Sequence, residues 1–466
     1  MGEFRSLTGL RIVAAVWVVL FHFHFSPLPG VGQVAAWFGP LITQGALGVD
    51  LFFVLSGFVI AHTYLHKLGP ALRVGTTARF VWARASRMWP VYVLVFNLFG
   101  LWLVARIVFG GGGNIAYQSV QPVVSVGQWV QQLLMVQMWN NQYLDGASWV
   151  GPTWSLSAEW LAYMLFPVAA LVFFRLRNLP VVVLAGGSLA LMTPIAWAYL
   201  STGSPYYPWS WAVRVLCGFG AGVLAYLLVR RVRSTEKVRS RASVLAAATP
   251  LAIAAGLVVG EAAGPGRGGA VIVLFPVLVG ALGLADRGPA TILARPWAVQ
   301  GGRISYSLYL VHIPIFEVYW TLLAHFHVVD RHPVLAYVSA VVVLLSTPVV
   351  ASVAFRAVEE PARRRMRRMH LTRRRPARRP AAPPPPEARH DGAPPQARPA
   401  PTLVAAFRDV HAATFVAPEP RHAASSQRRP TLAAALVHAQ RRRPAHRAHL
   451  VAALDRAEQK RGTRTG

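Results

Sequence analysis

Three side chains that could transfer a proton lie within long apolar segments of this 466-residue sequence, namely His22, Asp50 and Glu159. Each lies about five to seven residues from the end of a different predicted helix, so all three fall roughly 8 to 11 Å below one surface at 1.5 Å per residue. A carboxylate beside an imidazole raises its basicity and selects its tautomer, as a general base requires. The pattern predicts one polar site in which Asp50 or Glu159 orients His22.

Two arginines belong to the same set of buried charges. Arg11 precedes His22 by eleven residues, which is within about 20° of three full helical turns, so both lie on one helix face about 16 Å apart. Arg214, early in the sixth predicted helix, falls at a similar depth and could neutralise one carboxylate. The pattern is equally explained if Arg11 only anchors its helix at the membrane surface and His22 is a hydrogen-bonded interior histidine.

A second arginine cluster precedes the third predicted helix, in the segment ARFVWARASRMWPVY, which we expect to be a cytoplasmic loop. Arg84 and Arg87 are three residues apart and can present two guanidinium groups to one side, an arrangement that suits phosphates. Ordinary positive charge at the cytoplasmic surface, in contact with anionic lipid, explains them as well and is favoured on spacing alone.

The composition separates an apolar body from a basic tail. Hydrophobic residues make up 54% of the chain and charged residues only 14%, against roughly a quarter charged in soluble domains. The net charge is +30, and 24 of the 47 lysines and arginines lie in residues 361–466. A soluble globular enzyme and a nucleic-acid-binding protein are excluded. Cys217, the single cysteine, can form neither an intramolecular disulfide nor a thiolate metal cluster, and we predict no metal.

Residues 1–360, the apolar part of the chain, are predicted to form an all-α, multi-pass integral membrane protein of the cell (plasma or inner) membrane. Basic residues cluster in the loops on one side and are nearly absent from the other, which predicts cytoplasmic termini. The first apolar segment is interpreted as a retained helix rather than a cleaved signal, and residues 126–139 as an interfacial segment. About ten apolar segments are long enough to span a bilayer, beginning near Leu10, Gly45, Met88, Pro152, Leu179, Trp209, Ala242, Ala270, Ile304 and Pro333.

Two regions follow, a membrane domain over residues 1–360 and a cytoplasmic Arg/Pro/Ala-rich tail over residues 361–466. The tail lacks the apolar residues for a core and is predicted to be disordered. It either binds anionic lipid, at about 1 kcal/mol per basic residue near the surface, or is an extension without a specific partner.

Five segments, taken in order, resemble the acyltransferase-3 family of polytopic membrane O-acyltransferases. They extend over roughly residues 6 to 360 and read SLTGLRIVAAVWVVLFH, GALGVDLFFVLSGFVI, WARASRMWPVY, PTWSLSAEWLAY and ISYSLYLVHIPI. The resemblance implies an enzyme that moves an acyl group, usually acetyl, from cytoplasmic acyl-CoA to a hydroxyl of a carbohydrate, glycolipid or glycosylated metabolite.

The resemblance also implies roles for particular residues. His22 would be the catalytic histidine and Arg11 its partner, with Asp50 and Glu159 in the same catalytic group. By the same resemblance, Arg84 and Arg87 would bind the CoA phosphates, and His312 falls on a recurring polar position of the family. The candidates for substrate binding are His312 and Arg214, of which Arg214 is proposed from its depth and not from the resemblance.

Two other classes of protein remain as alternatives at this point. A transporter or flippase of a glycan or lipid intermediate would show related halves and broken helices, and we find no similarity between the first five and last five spans. A membrane scaffold that signals through its basic tail would not need His22, Asp50 and Glu159 in the bilayer. The intramembrane charges therefore favour the enzyme.

Overall fold

Long apolar helices make up the protein. The computed structural model describes residues 3–110, 118 and 120–372, and no strand occurs among them. In chain order the α-helices of these residues are α1 (Arg5–Phe23), α2 (Val31–Phe38), α3 (Pro40–Thr43), α4 (Leu47–Leu68), α5 (Val74–Phe109), α6 (Val126–Leu133), α7 (Trp154–Leu176), α8 (Val181–Ala190), α9 (Thr193–Thr202), α10 (Ser210–Arg231), α11 (Glu236–Ala263), α12 (Phe275–Leu284), α13 (Pro289–Leu293), α14 (Pro296–His325), α15 (Val328–Arg331), α16 (Pro333–Ala354) and α17 (Glu360–Thr372).

The prediction of ten membrane spans is confirmed for the described residues, where ten helical segments are long and apolar enough to cross a bilayer. Four of the spans combine more than one helical element. Gly151–Leu176 adds a short 3₁₀ turn to α7, and Pro333–Met369 runs from α16 through a π-helical turn into α17. Val181–Thr202 joins α8 to α9, and Arg267–Leu284 joins a 3₁₀ helix to α12. The segment that begins at Val126 is only an eight-residue helix, α6, and is not among the spans. The protein is thus an all-helical, multi-pass membrane protein.

Two predicted boundaries are wrong. Helix α5 begins at Val74, well before the expected start near Met88, so Arg84 and Arg87 lie on a helix and not in a loop. A search for apolar runs misses this first part of α5 because it is rich in arginine. Residues 361–372 were assigned to a disordered tail but continue helix α17. The remainder of the predicted tail lies outside the described residues.

Side-chain pairing explains why the basic segment after residue 359 remains helical. Glu360 forms ion pairs with both Arg363 and Arg364, one helical turn further along α17, and such pairs support a helix. The indole nitrogen of Trp82 on α5 donates to the carbonyl oxygen of Met366 at 2.8 Å. Helix α17 is therefore attached to the bundle through α5.

Glycines allow the helices around the predicted site to approach closely. A side chain at Gly57 on α4 would collide with the Phe219 carbonyl of α10, and one at Gly222 on α10 with the Val54 carbonyl of α4. Helices α1 and α14 meet in the same way, since a side chain at Gly302 would collide with the Thr8 carbonyl. Small residues let membrane helices gain close van der Waals contact where lipid provides no hydrophobic driving force.

An ion pair fixes α4 to α10 at this crossing. The guanidinium of Arg214 donates two hydrogen bonds to the carboxylate of Asp50, from Nε at 2.9 Å and from Nη2 at 2.7 Å. Both side chains are only 1% exposed. The guanidinium also lies over the ring of Trp154, 4.9 Å from its centroid. Because neither charge reaches solvent, each depends on the other for neutralisation.

We predict that Asp50→Asn destabilises the protein by about 3–5 kcal/mol, because it leaves the Arg214 charge buried and uncompensated. The measurement is the temperature at which half of the detergent-solubilised protein is lost from its size-exclusion peak. The double variant Asp50→Leu/Arg214→Met removes both charges and is expected to regain most of the loss.

The matched control is Asp286→Asn. Asp286 pairs with Arg239 at 2.8 Å, but the two side chains are 39% and 37% exposed, so the expected loss is below about 1 kcal/mol. Equal stability of the Asp50 and Asp286 variants would contradict a structural role for the buried pair.

Candidate active site

The predicted single polar site is divided by the structure into three clusters at three levels of the bundle. A side chain at Gly48 on α4 would touch the Ala14 carbonyl of α1, which places Asp50 close to the level of Ala14. His22 lies eight residues beyond Ala14 on α1, about 12 Å further along the axis. The expectation that Asp50 lies beside His22 is therefore wrong.

The chain between α1 and α4 explains this error. It forms two short helices, α2 and α3, so that α4 begins below the end of α1. A side chain at Gly45 would touch both the Trp17 carbonyl and Cβ of Phe21, so the chain is already below His22 before α4 begins at Leu47. Counting residues from the end of each helix assumes that all helices end at one surface, and α4 does not.

The first cluster pairs His22 with His312 of α14. Nε2 of His312 lies 3.2 Å from Nδ1 of His22. The Nδ1 atom of His312 lies 3.3 Å from the Leu308 carbonyl oxygen, and that of His22 lies 2.9 Å from the Val18 carbonyl oxygen. His312 is fully buried. The partner of the predicted catalytic histidine is thus a second histidine and not a carboxylate.

The two carbonyl contacts select one tautomer of each ring. A carbonyl oxygen only accepts, so each Nδ1 carries the proton in the neutral rings. Nε2 of His312 then has a lone pair that accepts from the Nδ1 proton of His22, which is shared with Val18. In this arrangement the Nε2 atom of His22 holds a lone pair, which is the group that a general base needs.

The second cluster is the Asp50–Arg214 pair of the α4–α10 crossing. The expectation that Arg214 neutralises a carboxylate agrees with this geometry. The pair belongs to the helix crossing and lies at a different level from the two histidines.

The third cluster surrounds Glu159 and Arg11. Glu159 accepts short hydrogen bonds from the hydroxyls of Ser56 and Tyr163. Ser56 follows Asp50 by six residues on α4, so Glu159 lies about 9 Å further from His22 than Asp50 does. Arg11 and Glu159 line one cavity of about 40 Å³. Glu159 is therefore placed near Arg11 and not near His22.

A larger cleft opens beyond Arg11, on the face where α1 and α14 begin and α4 ends. Its volume is about 580 Å³, and its lining includes Arg11, Arg84 and Arg87. Arg11 thus forms part of the wall of both the cleft and the inner cavity. The smaller cavity has room only for water-sized groups, so a larger ligand can pass inward only if the side chains around it move.

Arg84 and Arg87 differ in how they are held. Arg87 donates to the fully buried Glu359 at 2.7 Å, and Glu359 also accepts from Ser307 at 2.7 Å. Arg84 donates to the hydroxyl of Tyr64 at 3.2 Å, and its Nε atom is buried without a hydrogen-bond partner among the described residues. Arg84 consequently has more unused donor capacity for a ligand.

Tyr309 lies between the inner cavity and the histidine pair. It lines the 40 Å³ cavity, and its ring centroid is 5.8 Å from that of His312. Its hydroxyl donates to the Pro152 carbonyl oxygen at 2.8 Å and lies 2.8 Å from Oγ of Ser155. Arg11, Tyr309, His312 and His22 therefore follow one another along the α1–α14 interface.

Several of these residues were missed in the sequence. Helical spacing could have found some of them, because Tyr309 and Ser305, whose hydroxyl accepts from Nε of Arg11 at 3.5 Å, precede the predicted His312 by three and seven residues on one face of α14. Tyr163 likewise follows Glu159 by one turn of α7. Glu359 gives no such signal, since its partners are distant in the chain. In the described part of the chain, no group of three or more His, Cys, Asp and Glu could hold a metal ion.

Known proteins resemble this chain over most of its length. A family described as an acyltransferase domain matches residues 4–354. Acyltransferase MdmB of Streptomyces mycarofaciens is 30% identical over 181 residues, which are 38% of this chain and 41% of that protein. Protein 2 in picA locus of Rhizobium radiobacter is 34% identical over 160 residues, 34% of this chain and 77% of that protein.

A longer match covers about three quarters of the chain. O-acetyltransferase OatA of Staphylococcus aureus is 23% identical over 376 residues, 77% of this chain and 57% of that protein. The matched regions thus cover less than two thirds of both MdmB and OatA. No solved structure matches the chain. Since the family match extends over about three quarters of the sequence, the chain belongs to the acyltransferase-3 family.

Proposed function

We propose that the protein transfers an acyl group, acetyl in the simplest case, from acyl-CoA to a hydroxyl of a carbohydrate, glycolipid or glycosylated metabolite. The observation that carries this proposal is the arginine-lined cleft, which shares Arg11 with a cavity that leads toward His312 and His22. The names of MdmB and OatA, an acyltransferase and an O-acetyltransferase, support this reaction class.

The cleft suits the phosphates of the donor. Guanidinium groups bind phosphate through paired charge-assisted hydrogen bonds, and Arg84 and Arg87 line the cleft one turn apart on α5. The positive-inside rule assigns this face and both termini to the cytoplasm, where acyl-CoA is available. The protein would then act in the cell membrane, with the acyl group passing inward along Arg11 and Tyr309.

In the transfer step, Nε2 of His22 removes the proton from the acceptor hydroxyl while the hydroxyl oxygen attacks the thioester carbonyl carbon. The carbon–sulfur bond breaks, and the CoA thiolate leaves and takes the proton from the imidazolium. The products are the acyl ester and CoA. An acyl-histidine intermediate is an alternative route through the same residue.

The other candidates receive different roles in this proposal. His312 is a positioning residue that holds the His22 ring through the 3.2 Å contact. Asp50 and Arg214 hold α4 against α10 and do not reach the substrate. Arg11 and Glu159 line the entry to the inner cavity. A transporter or a scaffold is disfavoured because the family is one of acyltransferases.

His22→Ala is expected to lower the transfer rate by about 10²- to 10⁴-fold while the protein stays folded, because the proton acceptor is lost. The assay measures CoA released from acetyl-CoA by protein in nanodiscs, with cell-envelope extract as the source of acceptor. His24→Ala is the matched control, since His24 caps the same helix and its Nδ1 contacts only the Phe21 carbonyl among the described hydrogen bonds. Transfer at the wild-type rate by the His22 variant would rule out the mechanism.

His312→Leu is expected to lower kcat about fivefold with an unchanged KM for acetyl-CoA. It removes one hydrogen bond to the base, worth about 1 kcal/mol, and 1.36 kcal/mol corresponds to a factor of ten. His312→Gln can still accept from His22 and should recover most of the rate. A purely structural role predicts instead that both variants lose folded protein, and a substrate contact predicts a raised KM.

Arg84→Gln is expected to weaken CoA binding by at least about tenfold, since a hydrogen bond to a charged group contributes about 1.5–3 kcal/mol. Isothermal titration of CoA into nanodisc-embedded protein measures this without an acceptor. Arg79→Gln is the charge-matched control on α5, because the hydrogen bonds of the exposed Arg79 to described residues are to Gly75 and Thr76 of its own helix. Equal affinities of the two variants would remove Arg84 from the donor site.

A further inference from the structure

Helix α17 forms one wall of the basic cleft. It contributes Arg363, Arg364 and Arg367 to the lining, whereas Arg11, Arg84, Arg87 and Arg303 come from the bundle. The family match ends at residue 354, so α17 lies outside the region by which the chain is assigned to its family.

The sequence of α17 presents these arginines as one face. Glu360, Arg363, Arg364 and Arg367 are spaced by three, one and three residues, which places them on one side of an α-helix. All four line the cleft. Arg365 lies on another side of the helix and does not line it.

Contacts along α17 hold this face toward the cleft. Glu359, directly before α17, receives hydrogen bonds from Arg87 of α5 and Ser307 of α14. Nearly two turns into the helix, the Met366 carbonyl accepts from Trp82 of α5. These contacts attach the first two turns of α17 to the bundle at their beginning and at their end. The arginines of α17 therefore lie on a helix whose position is fixed.

The cleft has an excess of positive charge. Seven arginines line it, against the two carboxylates of Glu3 and Glu360. Glu359 neutralises Arg87 from outside the lining. The remaining excess is about four positive charges. The diphosphate of CoA and its 3′-phosphate together carry about four negative charges, since a phosphate monoester holds close to two at neutral pH.

The order of groups along the donor matches the order of arginines in the cleft. Arg11 lies at the inner end, where the cleft adjoins the 40 Å³ cavity. On α17, the half-buried Arg363 is followed one turn later by Arg367, which is exposed at the rim. In acyl-CoA the thioester is at one end, the diphosphate follows the pantetheine arm, and the 3′-phosphate is at the far ribose. With the thioester directed inward, the 3′-phosphate lies at the rim.

We propose that α17 is the binding element for the ribose 3′-phosphate of the donor, with Arg363 and Arg367 as its main ligands. This inference rests on the proposed use of acyl-CoA. An anionic lipid headgroup offers the same phosphate chemistry, but the cleft is also lined by Thr8, Gln300 and Arg303, polar groups that suit a soluble nucleotide better than acyl chains.

The test compares CoA with 3′-dephospho-CoA, titrated into the full-length protein in nanodiscs of zwitterionic lipid. The wild-type protein should bind CoA at least about tenfold more tightly, equivalent to one charge-assisted contact. Arg367→Gln and Arg363→Gln should each weaken CoA binding severalfold and leave 3′-dephospho-CoA binding unchanged. The ratio of the affinities for CoA and 3′-dephospho-CoA is therefore smaller in each variant than in the wild-type protein. Adenosine 3′,5′-bisphosphate should compete with CoA in the wild-type protein.

Arg365→Gln is the matched control, because it removes the same charge from the same helix outside the cleft. It should retain the full preference for CoA. An equal loss of preference in the Arg365 and Arg367 variants would mean that general positive charge, and not a 3′-phosphate site, is responsible, and would overturn the inference.

Other outcomes separate this inference from the proposed function. Equal binding of CoA and 3′-dephospho-CoA by the wild-type protein would overturn the role of α17 and leave acyl-CoA as the donor. Binding of neither compound would overturn acyl-CoA itself. If adenosine 3′,5′-bisphosphate fails to compete while phosphatidylglycerol in the nanodisc displaces CoA, the rim is a lipid headgroup site and the inference is wrong.

Discussion

The arrangement of this bundle depends on the need to neutralise charge that is kept from water. Asp50 and Arg214 form an ion pair with two hydrogen bonds, and each side chain is only 1% exposed. Either charge without its partner would strongly destabilise the protein. The pair forms only if α4 and α10 lie in register, and the close contact at Gly57 then becomes available. One electrostatic requirement therefore fixes the two helices that form the centre of the bundle.

The same requirement separates supporting charges from those available for chemistry. Glu359 takes hydrogen bonds from Arg87 and Ser307 and joins three elements of the structure. The histidine pair carries no net charge in its neutral form, and its proton positions follow from backbone carbonyls. The basic cleft, by contrast, holds arginines in excess of carboxylates. A phosphate-bearing donor supplies the missing negative charge there, which explains why the excess lies at a solvent-open face.

The predictions from the sequence agreed well with the helices of the structure but poorly with the side-chain contacts between those helices. The ten spans followed from apolar length, because the hydrocarbon thickness sets a minimum run of residues. The predicted start of α5 was wrong because the first turns of this helix are rich in arginine and do not form an apolar segment. The predicted contact between His22 and a carboxylate was also wrong. His22 contacts His312, and Glu159 accepts hydrogen bonds from Ser56 and Tyr163. Depth counted along separate helices cannot reveal these contacts.

The sequence by itself determined the number of spans, the scarcity of intramembrane charge and the family resemblance, since each depends on residue type and local spacing. The tertiary structure alone decided which charges meet. Residues such as Asp50 and Arg214, or Arg87 and Glu359, are separated by well over a hundred residues, and their pairing depends on helix offsets and rotations. Those offsets arise from α2 and α3 and from glycine contacts between helices, whose effect exists only once the helices are packed.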